Sequence, residues 1–206
     1  MSSQTFNRFL NQLHAQGSEK ADGFDSSHFD GMTSDERPEA ARLLREALFA
    51  GDSTAIRGLV LLDKQSARPT LEDALQKLSG DTSARLILAE ELWKLTNESR
   101  YQEVMIDLLK HPDHSIRRRA LSGLQNTPHN DRLMGELQSL VLDDPNKTVR
   151  FWAATHLVYG LGLIKDFYDV NHPYIQTVRY LSNENKEVRE NALAELKKQH
   201  WPQQPK

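Results

Sequence analysis

The chain contains no cysteine among its 206 residues. That excludes disulfides, thiolate metal sites and thiol nucleophiles. It has no run of 18 apolar residues, so no membrane-spanning helix is expected. The opening stretch, Met1-Ser2-Ser3-Gln4-Thr5-Phe6-Asn7-Arg8, lacks the basic head and apolar core of a secretory signal. With the absent cysteines, this predicts a cytoplasmic protein. A positive excess is missing too: 26 Lys and Arg stand against 29 Asp and Glu, a formal net charge of −3. Proteins that track phosphate backbones carry a clear positive surplus, so nucleic acid ranks low as a partner. No Gly-rich phosphate loop ending in Lys-Ser/Thr and no nucleophile elbow occurs.

Two stretches resemble metal sites and fail the ligand arithmetic. His111-Pro112-Asp113-His114 offers two imidazoles and a carboxylate, but a site needs three or four convergent ligands and this stretch reads as a turn between helices. Asp22, Asp25, Asp30 and Gly31 suggest a calcium loop. Aligning Gly31 to its sixth position puts Ser26 first and Arg37 twelfth, where Asp and Glu are needed. No metal and no cofactor is expected.

What the chain does have is a recurring unit: a small or β-branched apolar residue, then Arg, with apolar residues three and seven places after the Arg. It reads Ile116-Arg117…Ala120…Leu124, Val149-Arg150…Ala153…Leu157 and Val188-Arg189…Ala192…Leu196. Weaker copies read Ala84-Arg85…Leu88…Leu92 and Ile56-Arg57…Val60. The arginines follow one another at 28, 32, 33 and 39 residues (57, 85, 117, 150, 189). The last interval holds an extra stretch, 159–168, that reads as an insertion or an extended helix. A unit of this length indicates stacked helix pairs.

Helical spacing predicts a short amphipathic helix over 4–15, with Phe6, Phe9, Leu10 and Leu13 on one side. Residues 17–35, rich in Gly, Ser and Asp, read as a loop with Phe24 and Phe29 packing down. The first helices of successive pairs are expected over 37–50, 70–78, 101–110, 131–142 and 173–181. Each runs into a polar turn (Gly51-Asp52, Gly80-Asp81, His111-Pro112-Asp113, Asp143-Asp144-Pro145, Ser182-Asn183-Glu184-Asn185) whose Asp or Asn can cap the next helix.

These residues resemble the HEAT-repeat family, and within it bacterial HEAT-like repeats with Asp-x-x-x-x-Val-Arg-x-x-Ala turns; Asp144, Pro145, Val149, Arg150, Ala153, Ala154 and Leu157 carry the best match. The resemblance spans about residues 37–200. It implies an all-α fold: a right-handed α-α superhelix, or solenoid, of about five HEAT-like helix pairs. Residues 1–36 then form an N-terminal helix and loop that cap the array, and 201–206 form a tail. The resemblance also implies a structural ladder in which Arg57, Arg85, Arg117, Arg150 and Arg189 bridge to turn acids such as Asp81, Asp113 and Asp144. A planar guanidinium with five donors suits several such acceptors at once. The rival role for the same arginines is an anion-binding column.

Function is sought where the repeat breaks down. One and two places after each Arg, residue character changes along the chain and gives the basic run Arg117-Arg118-Arg119 and the aromatic run Phe151-Trp152…His156…Tyr159. Aromatic and Arg neighbours are a common composition of interface hot spots. Arg118, Arg119, Phe151, Trp152 and His156, with Glu91 in the adjacent column, are therefore the candidate partner-binding residues. The competing reading packs Trp152 and Tyr159 on the next helix pair and lays Phe151 over a loop.

The expected function is a non-enzymatic protein-binding module, monomeric on its own. A small acidic array of this kind is similar in style to immunity proteins that neutralise bacterial toxins, where acidic surfaces mask basic active sites. The alternative is a DNA-binding array or a DNA-repair enzyme of the HEAT-like glycosylase type, with Trp93, Trp152, Arg118 and Arg119 facing DNA. Glu90, Glu91 and Glu195 near the same columns oppose it. A cofactor-handling lyase or chaperone-like subunit finds no supporting motif, and the repeated His-Glu pairs of di-iron HEAT-like hydroxylases do not occur.

Overall fold

Short polar side chains at the turns decide where most helices begin. Asp63 is the clearest case: its carboxylate accepts from the N–H groups of Gln65 and Ser66 and from the Ser66 hydroxyl. Asp81, Asp113, Asn146 and Asn185 take the same position before later helices, accepting from the N–H groups of Ala84, Ser115, Thr148 and Glu187. Each satisfies donors that have no intrahelical partner.

The computed structural model describes residues 3–78, 80–169 and 171–201. Among the described residues there are twelve α-helices, two 3₁₀ turns and no strand, so the all-α class is observed. No helix among them is long and apolar enough to cross a membrane. The chain divides into two compact units, Met1–Gln102 and Glu103–Lys206.

The first unit holds α1 (Gln4–His14), α2 (Gly17–Asp22), a 3₁₀ turn (Ser26–His28), α3 (Glu36–Phe49), α4 (Thr54–Leu62), α5 (Lys64–Lys77), α6 (Thr82–Thr96) and the start of α7 (Ser99–Asp107). Residues 17–35 are not the open loop expected. They form α2 and the 3₁₀ turn, tied down by Lys20, which donates to the Leu13 carbonyl at 2.7 Å and pairs with Asp52 at 2.5 Å. Phe24 and Phe29, each 2% exposed, pack on Phe9 with ring centroids 5.7 and 5.9 Å away. Burying each ring contributes roughly 1.5–3 kcal/mol. Gly58 in α4 allows this wrap to close, because a Cβ there meets Leu44 Cδ2 at 2.7 Å and Phe24 Cδ2 at 3.0 Å.

Helix α5 starts at Lys64 rather than near residue 70 and runs through Pro69. The Asp63 cap sets that start; the proline, the punctuation visible in the sequence, does not. In α4 the buried positions are Ala55, Ile56, Gly58, Leu59 and Leu62, so Val60 falls out of the expected register.

The second unit holds the end of α7, a 3₁₀ turn (Leu108–Lys110), α8 (His114–Leu124), α9 (Asp131–Asp143), α10 (Lys147–Gly160), α11 (Ile175–Leu181) and α12 (Lys186–His200). Here α10 packs on α8, α9 and α11, and α12 on α9 and α11. Ala120, Leu124, Leu133, Leu137, Val141, Val149, Ala153 and Leu157 are fully buried. Half-buried Ala192 departs from that pattern.

Three arginines of this unit share one geometry. Arg117, Arg150 and Arg189 each donate through Nη1 to the two carbonyls five and six residues earlier, at 2.7–3.1 Å. Arg117 then reaches Asp144 in the next turn, at 2.6 and 2.9 Å. Arg150 reaches Glu184 in the turn after that, at 2.7 Å, and Arg189 the Leu142 carbonyl at 2.6 Å. The remaining ladder candidates behave differently. Arg57 is exposed without an ion pair among the described residues, because Asp52 of its turn is filled by Lys20 and Thr54. Among the described residues Arg85 pairs with no acid, and its Nε is buried without a partner. Asp81 and Asp113 cap helices; neither bonds to an arginine.

Candidate binding site

On α8 the helical period decides which of three consecutive arginines faces inward. Ile116 and Arg117 are buried, while Arg118 and Arg119 project into solvent with Ser122 one turn further along. On α10 the same period puts Trp152 and His156 on one side, four residues apart. After α10, Gly162 takes φ +72°, a conformation glycine adopts without strain. The chain then returns with Phe167 and Tyr168.

These elements enclose a pocket of about 260 Å³ lined by Arg118, Arg119, Leu121, Ser122, Gln125, Trp152, His156, Phe167 and Tyr168. Trp152 and Phe167 stack nearly parallel, 5.9 Å apart at 6°. Tyr168 meets Trp152 edge-on at 6.2 Å. It is 62% exposed, yet its hydroxyl donates to Gln125 Oε1 at 2.9 Å, which tethers the returning segment to α8.

His156 is 1% exposed and forms an inner wall of the pocket. Its Nε2 lies 2.9 Å from the Leu121 carbonyl and its Nδ1 3.0 Å from His129 Nε2. A carbonyl only accepts, so Nε2 carries the proton and the Nδ1 lone pair of the neutral ring faces His129 Nε2. Both nitrogens are thus committed. Burial pushes its pKa down from 6.5 to about 3, with the His129 charge acting in the same direction and the Leu121 carbonyl opposing. Burial also lowers the His129 pKa, against a hydrogen bond to the Thr127 backbone.

Arg118 and Arg119 have no carboxylate partner among the described residues, whereas Arg117 beside them is locked to Asp144. No Asp or Glu among the described residues lines the pocket. Among the described residues no group of three or more His, Asp or Glu is placed to hold a metal ion. The arrangement offers two exposed cations, a stacked aromatic wall and a side-chain amide.

The structure brings Arg118, Arg119, Trp152 and His156 together. His156 is there as a buried support, not as an exposed contact. Phe151 is half-buried, meets Trp152 edge-on at 5.7 Å and lines a separate cleft of about 70 Å³ with Ile164 and Tyr174. Glu91 lies in the first unit, paired with Lys94 at 2.8 Å. Sequence reasoning missed Phe167, Tyr168, Gln125 and His129. The long interval before Arg189, rich in aromatics, was the available signal for the first two. No family model, curated protein or solved structure matches this chain.

Proposed function

We propose that the chain is a non-enzymatic, HEAT-like helix-pair module that recognises a protein partner through the α8–α10 pocket. The observation that carries this reading is the pair of exposed, unpaired arginines beside a stacked aromatic wall, in a pocket without a carboxylate. Such a combination is typical of hot spots. The repeat reading is supported by the shared carbonyl contacts of Arg117, Arg150 and Arg189 and by bridges that join one turn to the next, 27 and 34 residues along the chain. The proposal includes a monomeric, cytoplasmic module, and neutralising a bacterial toxin is one role such a module performs.

The test is affinity capture from the cells that encode it, with wild type and the Arg118→Ala/Arg119→Ala variant as baits. The expected result is a stoichiometric protein held by wild type and lost from the variant. No stoichiometric protein, or one retained equally by both baits, refutes the proposal.

The same two arginines beside Trp152 favour one second reading, a DNA-acting array, since guanidinium and indole also serve phosphate and base. It requires duplex binding at low salt with a steep loss as salt rises. The net charge of −3 opposes it, and the pocket lining among the described residues offers no carboxylate for a glycosylase reaction.

A further inference from the structure

The pocket's chemistry narrows the class of partner, given the protein-binding reading above. We propose that the segment it receives is acidic and carries an aromatic ring: a carboxylate sits on Arg118 and Arg119 while a ring one or two residues away enters against Trp152 and Tyr168. This partner is opposite in charge to the basic toxin site that a net-acidic protein is expected to cover.

The argument for the acid is local. Three other arginines of this unit already have acids: Arg117 has Asp144, Arg132 has Glu103 and Asp107, and Arg150 has Glu184. Arg189 is held by carbonyls, and exposed Arg179, which like Arg118 and Arg119 has no acid among the described residues, stands outside the pocket lining. Arg118 and Arg119 stand on consecutive residues of one helix with none, and nothing acidic lines the pocket they flank. Two adjacent cations left uncompensated on a molecule of net charge −3 attract a carboxylate at that point. The rest of the surface still repels a polyanion, which disfavours nucleic acid. A guanidinium pairs with a carboxylate through parallel N–H donors, so the site selects geometry as well as sign.

The argument for the ring rests on size and lining. A space of 260 Å³ is about nine waters' worth of volume. It falls below the usual ~300–1,000 Å³ of small-molecule sites and suits one large side chain. Rings prefer offset or edge-to-face contact with other rings, and Trp152 already shows both with its neighbours. Gln125 spends its carbonyl oxygen on Tyr168, which leaves its NH₂ to donate to a carbonyl of the bound segment.

The experiment uses the full chain and four blocked tripeptides: Asp-Phe-Asp, Asn-Phe-Asn, Lys-Phe-Lys and Asp-Ala-Asp. The readout is the Trp152 indole N–H signal in heteronuclear NMR. Saturable binding is expected for Asp-Phe-Asp, with Asn-Phe-Asn about 2- to 25-fold weaker and Lys-Phe-Lys and Asp-Ala-Asp weaker than Asp-Phe-Asp. Replacing Arg118 or Arg119 by Gln weakens it about 1.5- to 5-fold each at low salt, the range for exposed ion pairs. Both residues are exposed, so the variants keep the fold, which circular dichroism checks. Equal binding of Asn-Phe-Asn, tighter binding of Lys-Phe-Lys, no saturable shift with any peptide, or saturation by a twelve-nucleotide single strand at lower concentration each overturn the inference. Failure of the broader reading looks different. There the wild-type chain captures no stoichiometric protein, or one that the Arg118→Ala/Arg119→Ala bait holds equally, whatever the peptides do.

Discussion

Replacing Asp144 by Ala breaks the most buried ion pair of the second unit, and the cost can be worked from its geometry. The side chains are 2% exposed for Asp144 and 8% for Arg117. Asp144 accepts from Arg117 Nε at 2.6 Å and Nη2 at 2.9 Å, and from the Asn146 N–H at 2.8 Å. The substitution leaves a buried guanidinium with two orphaned donor nitrogens, while Nη1 keeps the His111 and Pro112 carbonyls. Removing one partner of a buried pair costs ~3–5 kcal/mol, and the lost turn hydrogen bond adds ~0.5–1.5 kcal/mol. The retained carbonyl contacts and the slight exposure of Arg117 offset part of this, so the expected loss is about 3–4 kcal/mol. Against a typical total of ~5–15 kcal/mol that is a large fraction. Urea unfolding followed by circular dichroism measures it, and amide exchange in α8–α10 locates it. Arg117→Met/Asp144→Ala removes the orphaned charge and is expected to cost at least about 1 kcal/mol less than Asp144→Ala alone. A single-variant loss below about 1 kcal/mol, or a double variant whose loss equals the sum of the single ones, refutes the ladder as an energetic element.

Three further outcomes are expected. His156 has a folded pKa of about 3 against an ordinary 6.5, so the neutral form is the native one. Its contribution is complete above pH 6.5 and is lost as pH falls from 6.5 towards 3, about 2 kcal/mol of it by pH 5. His156→Gln, which keeps a donor and an acceptor, flattens this slope in urea titrations from pH 7.5 to 4.5, and superimposable slopes count against the buried imidazole. Gly58→Ala puts a methyl 2.7 Å from Leu44 and 3.0 Å from Phe24; overpacking there lowers stability by about 1–3 kcal/mol, measured by the urea midpoint. Phe167, 8% exposed and stacked on Trp152, loses about 3 kcal/mol on replacement by Ala. A change in Trp152 indole environment without that loss of stability shows that the returning segment is not part of the core.

Helix content was legible because its causes are local. The 3.6-residue spacing of Leu and Ala after Arg117 and Arg150, and the Asp or Asn before α5, α6, α8, α9, α10 and α12, act within one or two turns of backbone and so appear in the sequence. Phe24 and Phe29 were legible for a similar reason: large rings in a polar stretch must be covered. Ladder arginines were only half legible. Arg57 and Arg117 sit in the same local pattern, yet one is exposed and the other buried. What separates them is the acid within reach: Lys20 and Thr54 occupy Asp52 in Arg57's own turn, while Asp144 in the next turn is open to Arg117.

The sequence by itself determined the helices and caps of the repeated units, α2 and the start of α5 excepted, and the exposure of Arg118 and Arg119, since the period that buries Arg117 turns its two successors outward. Only the tertiary structure decided that those arginines border a pocket. That depends on the chain turning at Gly162 and bringing Phe167 onto Trp152 and Tyr168 onto Gln125, the latter across 43 residues. It depends equally on a His129–His156 pair 27 residues apart filling the inner wall. Contacts of that reach leave no period in the sequence, because they are selected by which surfaces remain to be covered once the helices have packed.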